Sequence, residues 1–325
     1  MPAEQKMPFH TVLCDALGIK YPIIQGAIMR AGGPGLAAAV SNSGGLGVLS
    51  SAGISTAQLV EDIARTRSLC SMPFGVNIQA GAMEFALSRA KIASENGIRV
   101  VTLSRIDPKI PVIDYLKSSR IKIMAVVGNV EKARICEQLG VDIIIASGCE
   151  AGGHVGRVAS MPLIPAVVDA VRLPVVAAGG IADARGFVAA LALGACGVQM
   201  GTRFYATREA DVSQAEKDKI LAAGEDNTLV SEALTGLPCR LIRENVLEEW
   251  EKQKRSGASE DALKSLSSDI QKRYWRKSSD TVVSAGQACG LISAVPAAGE
   301  VIENIIEDSI RIILTVYNLT GCITA

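Results

Sequence analysis

Residues Val141–Arg157 read V-D-I-I-I-A-S-G-C-E-A-G-G-H-V-G-R. The run from Val141 to Ile145, with one acid inside it, has the length and β-branched composition of a strand buried on both faces, as in a parallel sheet covered by helices. After Ala146 the chain changes character. Small residues and glycines let the backbone turn and approach other groups closely, and they carry His154. The only other histidine, His10, lies in a polar N-terminal lead. A lone imidazole on such a loop can be a hydrogen-bonded structural group or the titratable group of a site. Its place favours the second reading, because α/β proteins put their chemistry at the carboxyl ends of buried strands.

Outward from this strand the same unit repeats. Apolar spacing predicts strands at 21–25, 44–50, 74–78, 99–103, 121–126, 141–145, 174–177 and 197–201. Helices are predicted at 34–42, 56–68, 83–96, 111–118, 130–139, 162–171 and 184–193. Eight apolar strands, seven of them followed by a helix, favour an α/β fold of the (β/α)8 TIM-barrel type over an open doubly wound sheet, the alternative. The 325 residues suit one such barrel plus an insertion. Aromatics make up only 4% of the chain, so its core must be built from Val, Ile, Leu and Ala, which again suits a helix-covered parallel sheet.

Residues 1–210 thus read as the barrel. Residues 211–285 are charge-dense and read as a helical insertion, with Leu263, Leu266, Ile270 and Tyr274 on one apolar face. Barrels carry such insertions in the loops above the site, which points to a lid. Residues 286–325 return to the barrel through a last helix opened by Pro296, with a buried stripe expected at Ile302, Ile306, Ile310, Ile313 and Tyr317.

The 33 basic and 33 acidic residues balance, which gives no electrostatic reason to expect nucleic acid or a charged membrane as partner. No apolar run reaches the roughly 18 residues that span a bilayer, and the N-terminus lacks a signal pattern. A cytoplasmic protein acting on a small molecule is the expectation. The eight cysteines contain no C-x-x-C pair and read as reduced thiols, with no metal site. Cys149 lies five residues before His154, but its neighbour Glu150 would raise the thiol pKa, which argues against a Cys–His nucleophile.

A second signal lies at the last two strand ends, Val175–Ile181 (V-V-A-A-G-G-I) and Val198–Arg203 (V-Q-M-G-T-R). The loops after the seventh and eighth strands are where such barrels hold phosphate on exposed backbone N–H groups. Two glycine ends there, with Thr202 adding a hydroxyl, imply a phosphate-bearing cofactor. Gly33–Ala38 formally fits the G-x-G-x-x-A dinucleotide pattern, yet it follows the first strand too late and no acid ends the second strand; it reads as helix-opening glycines.

Taken together, Y-P-I-I-Q-G at 21–26, P-F-G-V-N at 73–77, E-A-G-G-H-V-G at 150–156, A-A-G-G-I-A-D at 177–183 and M-G-T-R-F at 200–204 resemble the nitronate monooxygenase family, formerly 2-nitropropane dioxygenases. The same motifs mark its relatives, the flavin-dependent enoyl-acyl carrier protein reductases of type II. The resemblance implies a barrel holding FMN without a covalent bond. Gln25, Gly26, Ala27, Asn77, Gly152 and Gly153 would lie along the flavin, and Gly179, Gly180, Gly201 and Thr202 would bind its phosphate. His154 would be the catalytic group, and Gln287 would close the pocket. Some members carry Lys at the end of the fifth strand and a carboxylate seven residues before the His. Here Met124 and Ser147 stand in those places, Ser147 at a flavin-contact position. The implied reaction is oxidation of an alkyl nitronate, such as propionate 3-nitronate, by molecular oxygen to a carbonyl compound and nitrite. The alternative is NAD(P)H-dependent enoyl reduction. Residues 206–285 are charged and supply few apolar runs, which tilts the reading to the small nitronate. A homodimer is left open.

Overall fold

The computed structural model describes residues 8–79, 82–104, 110–276 and 280–319; Cys322 and the end of the expected C-terminal segment lie outside them. Eight parallel strands are wrapped by helices: β1 (Ile23–Gln25), β2 (Gly47–Ser50), β3 (Phe74–Gln79), β4 (Val100–Ser104), β5 (Lys122–Val127), β6 (Ile143–Ser147), β7 (Val175–Ala178) and β8 (Gly197–Met200). From β2 to β8 each strand pairs with the next in sequence, and β8 pairs with β1 through Ile23–Val198 and Gln25–Met200. This is the expected (β/α)8 barrel.

Inward side chains fill it. Ile24, Val48, Val100, Met124, Ile143, Ile145 and Val176 form one buried cluster, plugged from the strands' N-terminal end by Leu13, Cys14 and Leu17. Those three come from a short helix, Val12–Leu17, hidden in what reads as a polar lead; Thr11 caps it and donates its hydroxyl to Cys196 O at 2.6 Å. Full burial of each aliphatic side chain contributes about 1.5–3 kcal/mol.

The seam between β1 and β2 has only one bridge, Ile24 to Leu46. Gln25 extends it. Its side-chain Oε1 accepts from Val48 N at 3.1 Å and its Nε2 donates to Val48 O at 3.3 Å and to Gly26 O, so a side-chain amide stands in for the missing peptide rung. Gln25 is fully buried. Substitution Gln25→Leu keeps the volume but strands the Val48 peptide, and each unsatisfied buried group costs about 1–3 kcal/mol. Chemical denaturation of the variant should therefore show a loss of about 2–5 kcal/mol with the m-value unchanged.

The insertion after β8 is not all helical. Residues Thr228–Ser231 and Cys239–Ile242 form an antiparallel hairpin, joined by a two-residue strand, Gly153–His154, from the loop after β6. The short runs T-L-V-S and C-R-L-I are too brief to stand out among charges when the reading follows helical periodicity. Helices Gln214–Ala222, Asn245–Arg255 and Glu260–Trp275 complete the insertion. The first opens with a capping box between Ser213 and Glu216, and the last is capped by Ser259. Ile270 and Tyr274 join Leu234, Cys239, Leu241, Leu247 and Trp250 in a separate buried cluster, with Leu263 and Leu266 packed on it, so the expected apolar face is present.

The last helix, Ala298–Leu319, departs from its expected stripe. Ile302 and Ile306 are buried against the barrel helices, whereas Ile310, Ile313 and Tyr317 are exposed because the barrel surface ends near Ser309. No helix among the described residues is long and apolar enough to cross a membrane.

Candidate active site

A cavity of about 230 Å³ opens at the carboxyl ends of the strands. Strand geometry sets its floor: Asn77 on β3, Thr102 and Ser104 on β4, and Ser147 on β6 all reach it. Asn77 is held rigidly, donating from Nδ2 to Thr102 Oγ1 at 2.8 Å and accepting at Oδ1 from Ser104 at 3.3 Å. Gly26, Ala27, Gly152, Gly153, His154, Gly179, Gly180, Gly201 and Thr202 also line the cavity, so the structure brings together eleven of the residues expected from the sequence, with Asn77 and Ser147. Gln25 and Gln287 do not line it. Gln25 is committed to the seam, and Gln287 donates its backbone N–H to Glu150 O at 2.9 Å while Gly286 and Ala288 on either side reach the cavity. Met124 is buried in the barrel interior.

One side of the cavity is a backbone cradle. Gly179 and Gly180 have φ of 99° and 73°, in the left-handed region where a side chain is strained. Among the described residues, the N–H groups of Gly179, Gly180, Gly201 and Thr202 donate to no backbone carbonyl. The Thr202 hydroxyl accepts from Gly286 N at 2.8 Å, which ties the 284–288 segment to the end of β8. Among the described residues Glu150 is the one carboxylate in the wall. It accepts from Ser160 N at 2.9 and 3.0 Å and from Ser160 Oγ at 3.0 Å, so its charge sits on the N-terminal turn of helix Ser160–Ala170. Among the described residues no Lys or Arg lines the cavity.

The opposite side belongs to the insertion. Leu234, Thr235, Cys239 and Tyr274 line the cavity there, with Ile28 and Met29 from the loop after β1. His154 is half-buried at this boundary, and its Nε2 lies 2.9 Å from Thr235 Oγ1. Behind the wall is a polar network that sequence reading misses. Arg30 pairs with Glu216 at 2.7 Å, both side chains nearly or fully buried, and Tyr205 donates to the same carboxylate at 2.9 Å. Arg30 also stacks over the Tyr274 ring at 5.2 Å and donates to Arg276 O at 3.0 Å, clasping two insertion helices to the barrel. Burial pushes the Tyr274 phenol up to about 12, opposed by its hydrogen bond to Ser284; burial, and then the Glu216 charge, push the Tyr205 phenol up as well. Both phenols are therefore neutral donors at ordinary pH. The signal for Thr235 lies in T-G-L-P at 235–238, a turn between two short strands.

The sequence pattern of the nitronate monooxygenases matches residues 10–86 and 81–308. The chain belongs to the nitronate monooxygenase family. Its relatives within this oxidoreductase family differ in what they are named for. A (3aS,4S,5R,7aS)-5-hydroxy-7a-methyl-1-oxo-octahydro-1H-indene-4-carboxyl-CoA dehydrogenase of Rhodococcus jostii strain RHA1 is 39% identical over 241 residues, 74% of this chain and 68% of that protein. The structure of FabK, an enoyl-ACP reductase II, from Thermotoga maritima matches with a TM-score of 0.89 at 34% identity, covering 95% of this chain and 99% of that one. A nitroalkane oxidase from Streptomyces ansochromogenes matches with a TM-score of 0.78 at 26% identity, covering 94% and 99%. Both structural matches extend through the insertion.

Proposed function

We propose that this family member is an FMN-dependent oxidoreductase that exchanges hydride with the α,β-carbons of an acyl thioester. The observation that carries the reading is the make-up of the cavity wall. The insertion is charged in sequence, but it turns Leu234, Cys239 and Tyr274 inward beside Ile28 and Met29, which gives an acyl group an apolar surface. That removes the reason for preferring a small nitronate. Among the described residues no Lys or Arg lines the cavity to meet an anionic substrate. The name of the Rhodococcus relative and the FabK likeness support a thioester.

The residues present fit FMN. Open N–H groups at Gly179, Gly180, Gly201 and Thr202 suit a phosphate, and the fixed amide of Asn77 with Ser104, Thr102 and Ser147 suits the polar edge of a flavin ring. Bound there, FMN would supply hydride transfer, with NAD(P)H as the external reductant in the enoyl-reducing direction. His154 delivers a proton to the α-carbon as hydride reaches the β-carbon, and takes it back in the reverse direction. The insertion acts as a lid that excludes water from the exchange.

A second reading, oxidation of a nitronate by molecular oxygen, is favoured by the family match and by the nitroalkane oxidase likeness. One comparison separates the two. Crotonyl-CoA should stimulate NAD(P)H oxidation by the FMN-loaded protein, or a saturated acyl-CoA should bleach the flavin. Propionate 3-nitronate should cause little oxygen uptake. Nitrite release from the nitronate with no thioester turnover in either direction would replace the first reading with the second.

A further inference from the structure

We infer that Arg30, in the loop after β1, is a positioning residue that seats Met29 and Tyr274 as the apolar wall of the substrate pocket. It thereby sets which acyl groups fit, an inference that rests on the thioester reading above. The two wall residues come from different parts of the chain. Met29 belongs to the barrel loop and packs on the insertion's buried cluster, whereas Tyr274 belongs to that cluster and is the penultimate residue of helix Glu260–Trp275. Both line the cavity. Arg30 joins them. It follows Met29 in sequence, and its guanidinium lies over the Tyr274 ring, 5.2 Å from the centroid. Its Nη2 donates to Glu216 Oε1 at 2.7 Å and to Arg276 O at 3.0 Å. Arg276 is the C-cap of that same helix, so the cation also meets the negative end of the helix dipole.

The contacts are suited to holding a position. The Arg30 and Glu216 side chains are 6% and 0% exposed, so salt and water screen the pair little. Glu216 is satisfied on both oxygens. Oε1 accepts from Arg30 and from the Tyr205 phenol at 2.9 Å, and Oε2 accepts from Ser213 N at 3.0 Å and Ser213 Oγ at 2.9 Å. Tyr205, at the end of the short helix Thr202–Tyr205, lines the cavity as well. One buried carboxylate therefore registers the loop after β1, the helix after β8 and the end of the insertion against a common point. Arg30 pays for its place with a φ of 70°, a left-handed conformation that a residue with a Cβ adopts only when its surroundings over-determine it. Beside Tyr274, Trp275 rests on Gly53 in the loop after β2, where a Cβ would collide with its ring. The helix end is thus docked on the barrel at two places, and Arg30 is the polar one.

The test removes both charges together, because Arg30→Met alone would leave the Glu216 carboxylate buried without its cation. Arg30→Met/Glu216→Gln keeps a side-chain oxygen to accept from Tyr205. Crotonyl-CoA and oct-2-enoyl-CoA are compared as stimulants of NAD(P)H oxidation by the FMN-loaded protein. In the double variant KM for oct-2-enoyl-CoA should rise about tenfold, the low end of what one methylene in a pocket is worth, with kcat nearly unchanged. The ratio of kcat/KM for the long chain over crotonyl-CoA should fall, since the longer chain covers more of the wall. A second readout needs no substrate. Trp250 is buried and Trp275 is half exposed, so acrylamide quenching of tryptophan fluorescence reports chiefly on Trp275. Its quenching constant should rise toward that of free tryptophan as the helix end loosens. A folded double variant with wild-type KM for both thioesters would overturn the inference even if its melting temperature falls, because the pair would then be structural only. Wild-type quenching would overturn it too. If the wild-type protein turns over no thioester but oxidises propionate 3-nitronate, the thioester reading fails, and the double variant's KM for the nitronate decides the role of Arg30.

Discussion

Replacement of His154 by Ala is expected to leave the barrel and its FMN in place and to lower turnover by about a hundred- to ten-thousand-fold, the usual contribution of a general acid–base group. Structure gives the reason for the first half. His154 is half-buried at the cavity edge and belongs to none of the hydrophobic clusters, so truncation opens space into the cavity instead of a void in the core. Its backbone pairing with Cys239 does not depend on the side chain. The second half rests on position: the imidazole lies where the apolar insertion wall meets the polar floor, and an imidazole is a side chain suited to proton transfer. Stopped-flow absorbance separates the steps. Flavin reduction by NAD(P)H should survive in His154→Ala, and the loss should fall on reoxidation by the enoyl thioester. Wild-type rates in both half-reactions on a folded, flavin-loaded variant would make His154 a structural residue.

The largest effect on cofactor content is expected from Gly180→Asp. A Cβ at Gly180 meets nothing closer than Glu150 Cβ at 3.7 Å, so the wall has room for a side chain, although the left-handed φ adds strain. The added carboxylate would sit at the open N–H groups proposed for phosphate and beside Glu150, placing negative charge where a dianion must bind. The protein should purify folded but colourless, and added FMN should raise the wild-type melting temperature while leaving the variant's unchanged. A yellow Gly180→Asp protein with wild-type FMN content would move the phosphate elsewhere.

These expectations rest on parts of the molecule that were not equally readable from sequence. The barrel was legible because each strand is a short β-branched run with a helix-period segment after it, as Ile143–Ser147 and Val175–Ala178 show. The glycine-lined wall was legible because glycine announces a special backbone, and Gly179 and Gly180 take left-handed φ at the cavity. Contacts made across large sequence separations left no such trace. Gln25 sits in a motif beside the expected flavin contacts, yet its amide is used by Val48, 23 residues away. Thr235 meets His154 across 81 residues, and Arg30 meets Glu216 across 186. The hairpin was hidden for another reason: two four-residue strands in a charged region carry too few positions to establish a period of two.

The pairing of Gly153–His154 with the insertion divides the labour within the molecule. Loops that belong to the barrel alone form the cradle, whereas the orientation of the histidine is shared with a segment that follows the eighth strand. Substitutions in the hairpin can therefore alter the setting of the histidine without disturbing the groups that would hold the cofactor. That division lets one barrel platform be combined with different insertions, and members of this family are named for both nitroalkanes and coenzyme A thioesters.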